Sequence, residues 1–174
     1  MALRKILTEP NEILRKKSLE VESVDEELQR LMDDMLETMY AAPGIGLAAI
    51  QVGIPKRIIV LDIEQKEGKK NPIFLVNPQI IEKAKNHSTY EEGCLSVPGQ
   101  FAEIDRPEKC HVKYLDYYGE KKEIKAEGML ATCIQHEMDH LEGILFIDYL
   151  SKLKKTMIIK KLSKQKKAIE RIVV

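Results

Sequence analysis

The pattern of apolar positions predicts a helix in the first quarter of the chain. Ser23 and Glu26 have the spacing of a capping box, which marks a helix start. The helix is predicted to end near Ala42. Its buried face is defined by apolar residues at helical intervals, namely Leu28, Leu31, Met32, Met35, Leu36 and Met39.

The helical spacing of apolar residues stops after this helix. Pro43, Gly44 and Gly46 interrupt the helix, and residues 47–53 are predicted to form a tight irregular loop. Runs rich in β-branched and aromatic residues then predict strands, with a hairpin turn at Tyr118 and Gly119. The predicted strands are residues 57–62, 73–76, 110–117 and 120–126.

Two more helices are predicted in the last third of the chain. One runs from Met129 to Glu142 with Gly143 as its C-terminal cap, and a third begins at about Ser151. A chain of 174 residues is long enough to bury one hydrophobic core, so we expect residues 1–174 to form a single domain. We predict an α+β fold in which small antiparallel sheets pack around a central helix, with additional helices near both ends.

The central helix carries an HExxH pattern. His136 and His140 are one turn apart, so both imidazole rings can approach one metal ion while Glu137 lies beside it. A chain of this composition contains the pattern by chance roughly once in a hundred cases. The alternative interpretation is a pair of surface histidines on a helix.

Two histidines leave a catalytic metal site one protein ligand short, because such sites commonly have three. The extended motif HExxHxxGxxH is excluded, since Gly143 matches but Phe146 stands where the third histidine would be. Downstream acids are not favoured as the third ligand; these are Glu142, Asp148 and Glu170.

Cysteine is the remaining type of ligand. Cys133 shares a helix face with His136, but seven residues separate it from His140, a rise of about 10.5 Å, whereas metal bonds are about 2.3 Å or shorter. Cys94 lies outside this helix, in a segment whose small and polar residues allow the backbone to fold over a site. We therefore predict that Cys94 is the third ligand. Taken alone, it would be interpreted as a buried, inert thiol.

Three segments resemble the signature segments of the peptide deformylases, in the same order and at similar separation. They are Gly44-Ile45-Gly46-Leu47-Ala48-Ala49-Ile50-Gln51, Glu92-Gly93-Cys94-Leu95-Ser96 and Gln135-His136-Glu137-Met138-Asp139-His140. The resemblance covers essentially the whole chain, including the C-terminal helix of the bacterial type. It implies hydrolysis of the formyl group from the N-terminal formyl-methionine of nascent proteins, with release of formate. Ile50 departs from the family, which usually has proline or threonine there.

The resemblance also implies a role for each residue of the metal site. Cys94, His136 and His140 would bind one divalent ion, and Glu137 would be the general base and then the general acid. The family implies Fe²⁺ in the cell, while Zn²⁺, Ni²⁺ and Co²⁺ suit the same ligands.

Further roles in catalysis and substrate binding follow from the same resemblance. The Gln51 amide and the Leu95 backbone N–H would stabilise the oxyanion. Ile45, Gly46 and Gly93 would bond to the peptide main chain. The methionine side chain would enter a pocket formed by Gly44, Glu92, Met129, Cys133 and the His136 ring. Thr132 stands where an aliphatic residue is expected.

Arg106 has two interpretations. It could pair with Glu92 or Asp139 and brace the metal ligands, as outer partners do in metal sites. It could equally be an ordinary surface arginine. No role is assigned to His87 or His111, which are far in sequence from the motifs.

Charge is distributed unevenly along the chain. Residues 152–171 contain nine basic residues and one acid, a balance of +8, and since the totals are 28 and 28 the remainder carries −8. This tail is either a solvated lysine-rich helix face or a surface for a polyanion. The resemblance implies that it binds the ribosome near the exit tunnel, where N-formylmethionyl nascent peptides emerge.

Other features indicate the compartment. No apolar run approaches the roughly 20 residues that span a bilayer, and no signal peptide is evident. Three cysteines, Cys94, Cys110 and Cys133, argue against a disulfide framework. We expect a cytoplasmic protein that binds neither membrane nor DNA.

Two competing functions remain open on sequence. The HExxH segment alone would support a zinc endopeptidase, although a downstream third ligand is missing. The basic tail would support an RNA-binding protein with a structural metal, although no fourth Cys or His lies near these motifs.

Overall fold

Seven strands lie between the first and second α-helices in the computed structural model, which describes residues 2–65 and 68–172. The α-helices are α1 (Glu26–Ala41), α2 (Gly128–Leu141) and α3 (Lys152–Ile172), and short 3₁₀ turns occupy Glu12–Arg15, Ala49–Val52 and Phe146–Tyr149. The strands are β1 (Gly46–Ala48), β2 (Ile58–Leu61), β3 (Ile73–Lys83), β4 (His87–Cys94), β5 (Val97–Pro107), β6 (Lys109–Leu115) and β7 (Lys121–Glu127). The predicted α+β fold is confirmed.

The strands form two antiparallel sheets. The larger sheet has the order β1-β2-β3-β6-β7, and β4 pairs with β5 in a separate ribbon. Strand β2 shows how the larger sheet is buried: Ile59 and Leu61 pack with α2, whereas Ile58 and Val60 pack with α1. Because successive strand residues point to opposite faces, an uninterrupted apolar run holds a helix on each side of the sheet.

The structure corrects the predicted start of α1. The capping box at Ser23 and Glu26 is wrong, because the Asp25 carboxylate accepts a hydrogen bond from the backbone N–H of Leu28 at 2.8 Å. Asp25 has an extended backbone and an acceptor of the right length, so it caps the helix two residues later than predicted. The predicted end is confirmed, with Ala42 as the C-cap.

The strand predictions are partly confirmed. The β6–β7 hairpin turns at Tyr118 and Gly119, where the Asp116 carboxylate accepts hydrogen bonds from the N–H groups of Tyr118 and Glu120, both at 2.9 Å. The predicted irregular loop at 47–53 is wrong in its first part, since Leu47 and Ala48 pair with β2 as part of β1. Strands β4 and β5 were not predicted from sequence, and only the first four residues of β3 were.

Helix α2 ends in a Schellman motif directly after the HExxH segment. The N–H of Gly143 donates to the carbonyl of His140 at 3.1 Å, and the N–H of Ile144 donates to Asp139 at 3.0 Å. Gly143 has a φ of 75°, and a Cβ there would collide with the backbone carbonyl of Arg15. Glycine is therefore required both by the conformation and by the close approach of another segment.

Helix α3 packs on the rest of the molecule only along its first half. Leu162 is its one buried residue in the described part of the helix, and Ile158 and Ile159 pack beside it against the β5 region. Lys155 also pairs with Asp148 at 2.6 Å. No helix in residues 2–65 or 68–172 is long and apolar enough to cross a membrane.

Replacing Gly143 tests the end of α2. We expect Gly143→Ala to lower the free energy of unfolding by about 3–5 kcal/mol, because the strained backbone is combined with a backbone collision. Gly99→Ala is the matched control: Gly99 has a φ of 74° but no described atom within 4 Å of its Cβ position, and it should cost about 1–2 kcal/mol. Denaturant unfolding measures both, and equal losses would contradict the collision.

Candidate active site

Three predicted metal ligands come together where α2 meets the end of β4. His136 and His140 lie one turn apart on α2, and their ring centroids are 5.1 Å apart. Cys94 is the last residue of β4, and its Sγ lies 3.3 Å from Nε2 of His140. One ligand atom from each residue lies within 4.8 Å of the other two, a spacing suited to a single ion.

The surroundings of the triad suit a cation. Nδ1 of His136 lies 2.7 Å from the Glu92 carboxylate, so it donates there and directs Nε2 to the site. Burial lowers the pKa of His136, but hydrogen bonds with Cys94 and Glu92 raise it by more, so the surroundings of this ring are negative enough to favour a bound cation. Burial, followed by the charge of His136, lowers the pKa of His140 well below its ordinary value, which leaves that ring neutral as a ligand must be.

A buried arginine braces Glu92. Arg106 is 4% exposed and donates two hydrogen bonds to the Glu92 carboxylate, at 2.8 and 3.0 Å. Its third contact is Asp139 at 2.8 Å, and Asp139 also accepts from the Tyr149 hydroxyl at 2.7 Å. Of the two interpretations of Arg106, the surface arginine is therefore wrong, and both proposed acidic partners are present.

Glu137 lies beside the triad without its full set of hydrogen bonds. The residue is buried, and its Oε2 has no hydrogen-bond partner among the described residues. Burial raises the pKa of Glu137 to about 7. A Cβ on Gly46 would lie 2.9 Å from the carboxyl carbon of Glu137, so β1 approaches α2 this closely only because Gly46 has no side chain.

Gln51 is fixed by hydrogen bonds so that its amide points at the metal ligands. Its Oε1 accepts from the N–H of Ala48 at 2.9 Å. Its Nε2 donates to the Ser96 hydroxyl at 3.0 Å and lies 3.5 Å from Sγ of Cys94. Ser96 was not assigned a role from sequence, although it stands in the same motif segment as Cys94.

These residues surround a cleft with a volume of about 450 Å³. Every predicted catalytic and substrate-binding residue lies along it: Gly44, Ile45, Gly46, Gln51, Glu92, Gly93, Leu95, Met129, Cys133 and Glu137. Tyr90 and Phe101 line the same cleft but were not predicted, because they belong to the strands that the sequence pattern left undefined. His87 and His111 lie outside it, against Asp105 and Glu123.

A half-buried cysteine and two buried histidines beside a helical glutamate define the site of a metal-dependent hydrolase. A family model described as polypeptide deformylase matches residues 3–156, and the chain belongs to that family. Its reaction is removal of the formyl group from N-terminal formyl-methionine. The zinc endopeptidase and the RNA-binding protein with a structural metal are therefore not retained.

Relatives and solved structures agree with this assignment. The chain is 69% identical over 166 residues to a peptide deformylase of Pelagibacter ubique, covering 95% of this chain and 96% of the relative. A crystal structure of peptide deformylase from Ehrlichia chaffeensis superimposes with a TM-score of 0.91 at 44% identity, covering 96% and 98% of the two chains. One from Legionella pneumophila gives 0.89 at 48% identity, covering 98% and 99%.

Two cysteine substitutions separate a ligand from a neighbour. We expect Cys94→Ser to weaken metal retention by more than about a hundredfold, beyond the loss caused by removing outer partners of metal sites. Cys133→Ser should retain metal, because burial raises the pKa of Cys133 and its thiol lies 3.8 Å from the Ile45 carbonyl. The metal content of each variant is measured after treatment with increasing chelator concentrations. If both variants lose metal equally, the assignment of Cys94 rather than Cys133 as a ligand is rejected.

Proposed function

We propose that this deformylase uses Cys94, His136 and His140 to hold one divalent ion and Glu137 to move the protons of the reaction. The main support is the position of Glu137, a buried carboxylate with an unpartnered oxygen beside three convergent ligand atoms. When bound, the ion acts as a Lewis acid that makes water more acidic and polarises the formyl carbonyl.

Glu137 takes a proton as water attacks the formyl carbon, and the electron pair of the carbonyl moves onto its oxygen. Glu137 then gives a proton to the departing amine nitrogen as the C–N bond breaks, and formate leaves. A carboxyl group whose pKa is raised to about 7 by burial suits both roles, because it accepts and returns a proton near neutral pH.

Gln51 and Leu95 stabilise the negative charge on the carbonyl oxygen. The Gln51 amide nitrogen carries two hydrogens: one is donated to Ser96 at 3.0 Å, and the other, directed at Sγ of Cys94 3.5 Å away, would turn to the oxyanion beside this ligand. The backbone N–H of Leu95 is the second donor in this proposal, and Leu95 follows Cys94 directly in the chain. The Gln51 amide is held in place before the reaction by Ala48 and Ser96, which is the condition for strong oxyanion stabilisation.

The formyl-methionyl peptide lies extended between β1 and β4. Ile45, Gly46 and Gly93 offer main-chain hydrogen bonds that accept any nascent sequence. The methionine side chain enters the pocket formed by Gly44, Glu92, Met129, Cys133 and the His136 ring. Because the Glu92 carboxylate is occupied by Arg106 and His136, its charge is neutralised at the pocket wall, which suits a thioether.

We propose Fe²⁺ as the ion in the cell. Two imidazoles and one thiolate also suit Zn²⁺, Ni²⁺ and Co²⁺, so the ligand set favours no single metal strongly. Metal analysis of protein prepared without oxygen, together with formate release from a formyl-Met peptide, tests this assignment. Full activity with an ion other than iron in that preparation would reject it.

Removing the proton-transfer group should abolish turnover without removing the metal. We expect Glu137→Gln to retain its metal content and to lose at least about a hundredfold in kcat, because the amide cannot carry the proton. Metal content and formate release are measured on the same sample. A metal-loaded Glu137→Gln protein with intact turnover would reject the proposed chemistry.

Helix α3 is proposed to bind the ribosome near the exit tunnel, in the cytoplasm. Beyond Ser163 the helix residues 164–172 are exposed, and the helix carries nine basic residues against Glu170 alone. Such a helix offers ammonium groups to rRNA phosphates, and its affinity should depend on salt.

Neutralising five lysines tests this proposal. The substitutions to glutamine are at Lys160, Lys161, Lys164, Lys166 and Lys167. We expect weaker ribosome co-sedimentation and a flatter dependence on salt, since the slope of log affinity against log salt falls by about 0.7 for each phosphate that is no longer neutralised. Turnover of a short formyl-Met peptide serves as the control for folding, and unchanged binding would mean that these lysines form a solvated face.

A further inference from the structure

A second groove lies between β5 and α3. It has a volume of about 740 Å³, and its α3 wall consists of Lys154, Met157, Ile158 and Lys161, which share one helix face. Its β5 wall includes Phe101, at the opposite side of the groove from α3. The groove therefore has apolar side chains between the two lysines of its α3 wall, whereas its β5 wall carries the polar residues Gln100 and Glu103.

The groove adjoins the active-site cleft at Phe101. This residue lines both spaces, and it pairs across the β4–β5 ribbon with Gly93, which is proposed to bind the peptide main chain. Its ring covers Gly93 so closely that a Cβ there would lie 2.5 Å from Cε1 of Phe101. A peptide that leaves the metal site past Gly93 meets this ring next.

The groove also exposes more apolar surface than folding requires. Phe101 is 66% exposed and Met157 is 62% exposed, although each faces the same groove. Contiguous exposed apolar surface on a soluble domain marks a binding site more often than chance placement does. Methionine at such a site adapts to side chains of different shape.

We propose that this groove binds the downstream residues of the formylated peptide, after the chain has passed over Phe101. The occupant is an extended peptide whose sequence is not fixed, so adaptable apolar contacts and lysine ammonium groups suit it better than a shaped pocket. Acidic side chains on that peptide are favoured on the α3 side, because Lys154 and Lys161 lie there and outnumber Glu103, the one acidic residue lining the groove. This inference rests on the proposed function, since it extends the same substrate beyond the cleft.

Peptides of increasing length test the groove. Formyl-Met peptides of three, six and nine residues are compared, with the downstream positions of the longer ones carrying either leucine and aspartate or glycine and serine. The quantity measured is the ratio of kcat/KM for each long peptide to that for the three-residue peptide. We expect the wild-type ratio to rise about three- to tenfold for the leucine and aspartate series only.

Two matched double variants locate the effect. The first double variant, Lys154→Glu with Lys161→Glu, reverses two charges in the groove. The control, Lys160→Glu with Lys167→Glu, reverses two charges on exposed residues outside the groove, and its two positions are also seven residues apart. The first pair should return the ratio to about one, whereas the second should retain the wild-type ratio. Met157→Ser should lower the ratio for leucine-containing peptides without reversing any charge.

Each outcome is decisive for one proposal. A wild-type ratio near one at all lengths would overturn the proposal that the groove binds downstream residues. Equal effects of the two double variants would also overturn it, because the general charge of α3 would then explain the effect. Absence of formate release from the three-residue peptide would overturn the proposed function itself. The two failures are distinguishable because the short peptide does not reach the groove.

Discussion

The active site depends on the buried contact between Glu92 and the two groups that share its carboxylate. Arg106 binds this carboxylate through two nitrogens, and His136 donates to it from the face opposite the metal ligand atom. Bringing a histidine, a carboxylate and a guanidinium into a protein interior is costly unless their charges and hydrogen bonds compensate one another. Here they do, and the same hydrogen bonds that satisfy these groups set the orientation of the His136 ring. The same contacts therefore stabilise the buried charges and orient the histidine ligand.

The remaining groups of the site are held by regular structure rather than by flexible loops. Helix α2 fixes the separation of its two histidines, and β1 lies against that helix closely enough to place Gly46 next to Glu137. The Gln51 amide is fixed at both ends by Ala48 and Ser96. In the proposed reaction, the formyl group would thus meet a donor and a base whose positions were set during folding, which reduces the reorganisation needed in the transition state.

Much of this arrangement could be predicted from sequence because its signals are local. Helical periodicity and the HExxH spacing define α2, and a glycine after its last turn defines its end. The β4–β5 ribbon was not defined because residues 87–94 contain few apolar positions, and Glu91, Glu92 and Gly93 are of types depleted in strands, so the strand signal is weak. The start of α1 was misplaced because both Ser23 and Asp25 are good capping residues, and local sequence does not decide between them. The position of Phe101 depends on that undefined ribbon and emerged only from the tertiary structure, which also decided between the two interpretations of Arg106.

The partial docking of α3 separates two kinds of evolutionary constraint. Around Leu162 and Lys155, a substitution disturbs packing or the ion pair with Asp148 and is felt by the whole fold. Farther along, from residue 164 to 172, side chains extend into solvent and contribute little to the core. Replacements in that stretch are filtered by whatever the helix touches outside the molecule, not by folding. The distal turns of α3 can therefore change in sequence without disturbing the fold of the rest of the molecule, so their composition is free to follow an external partner.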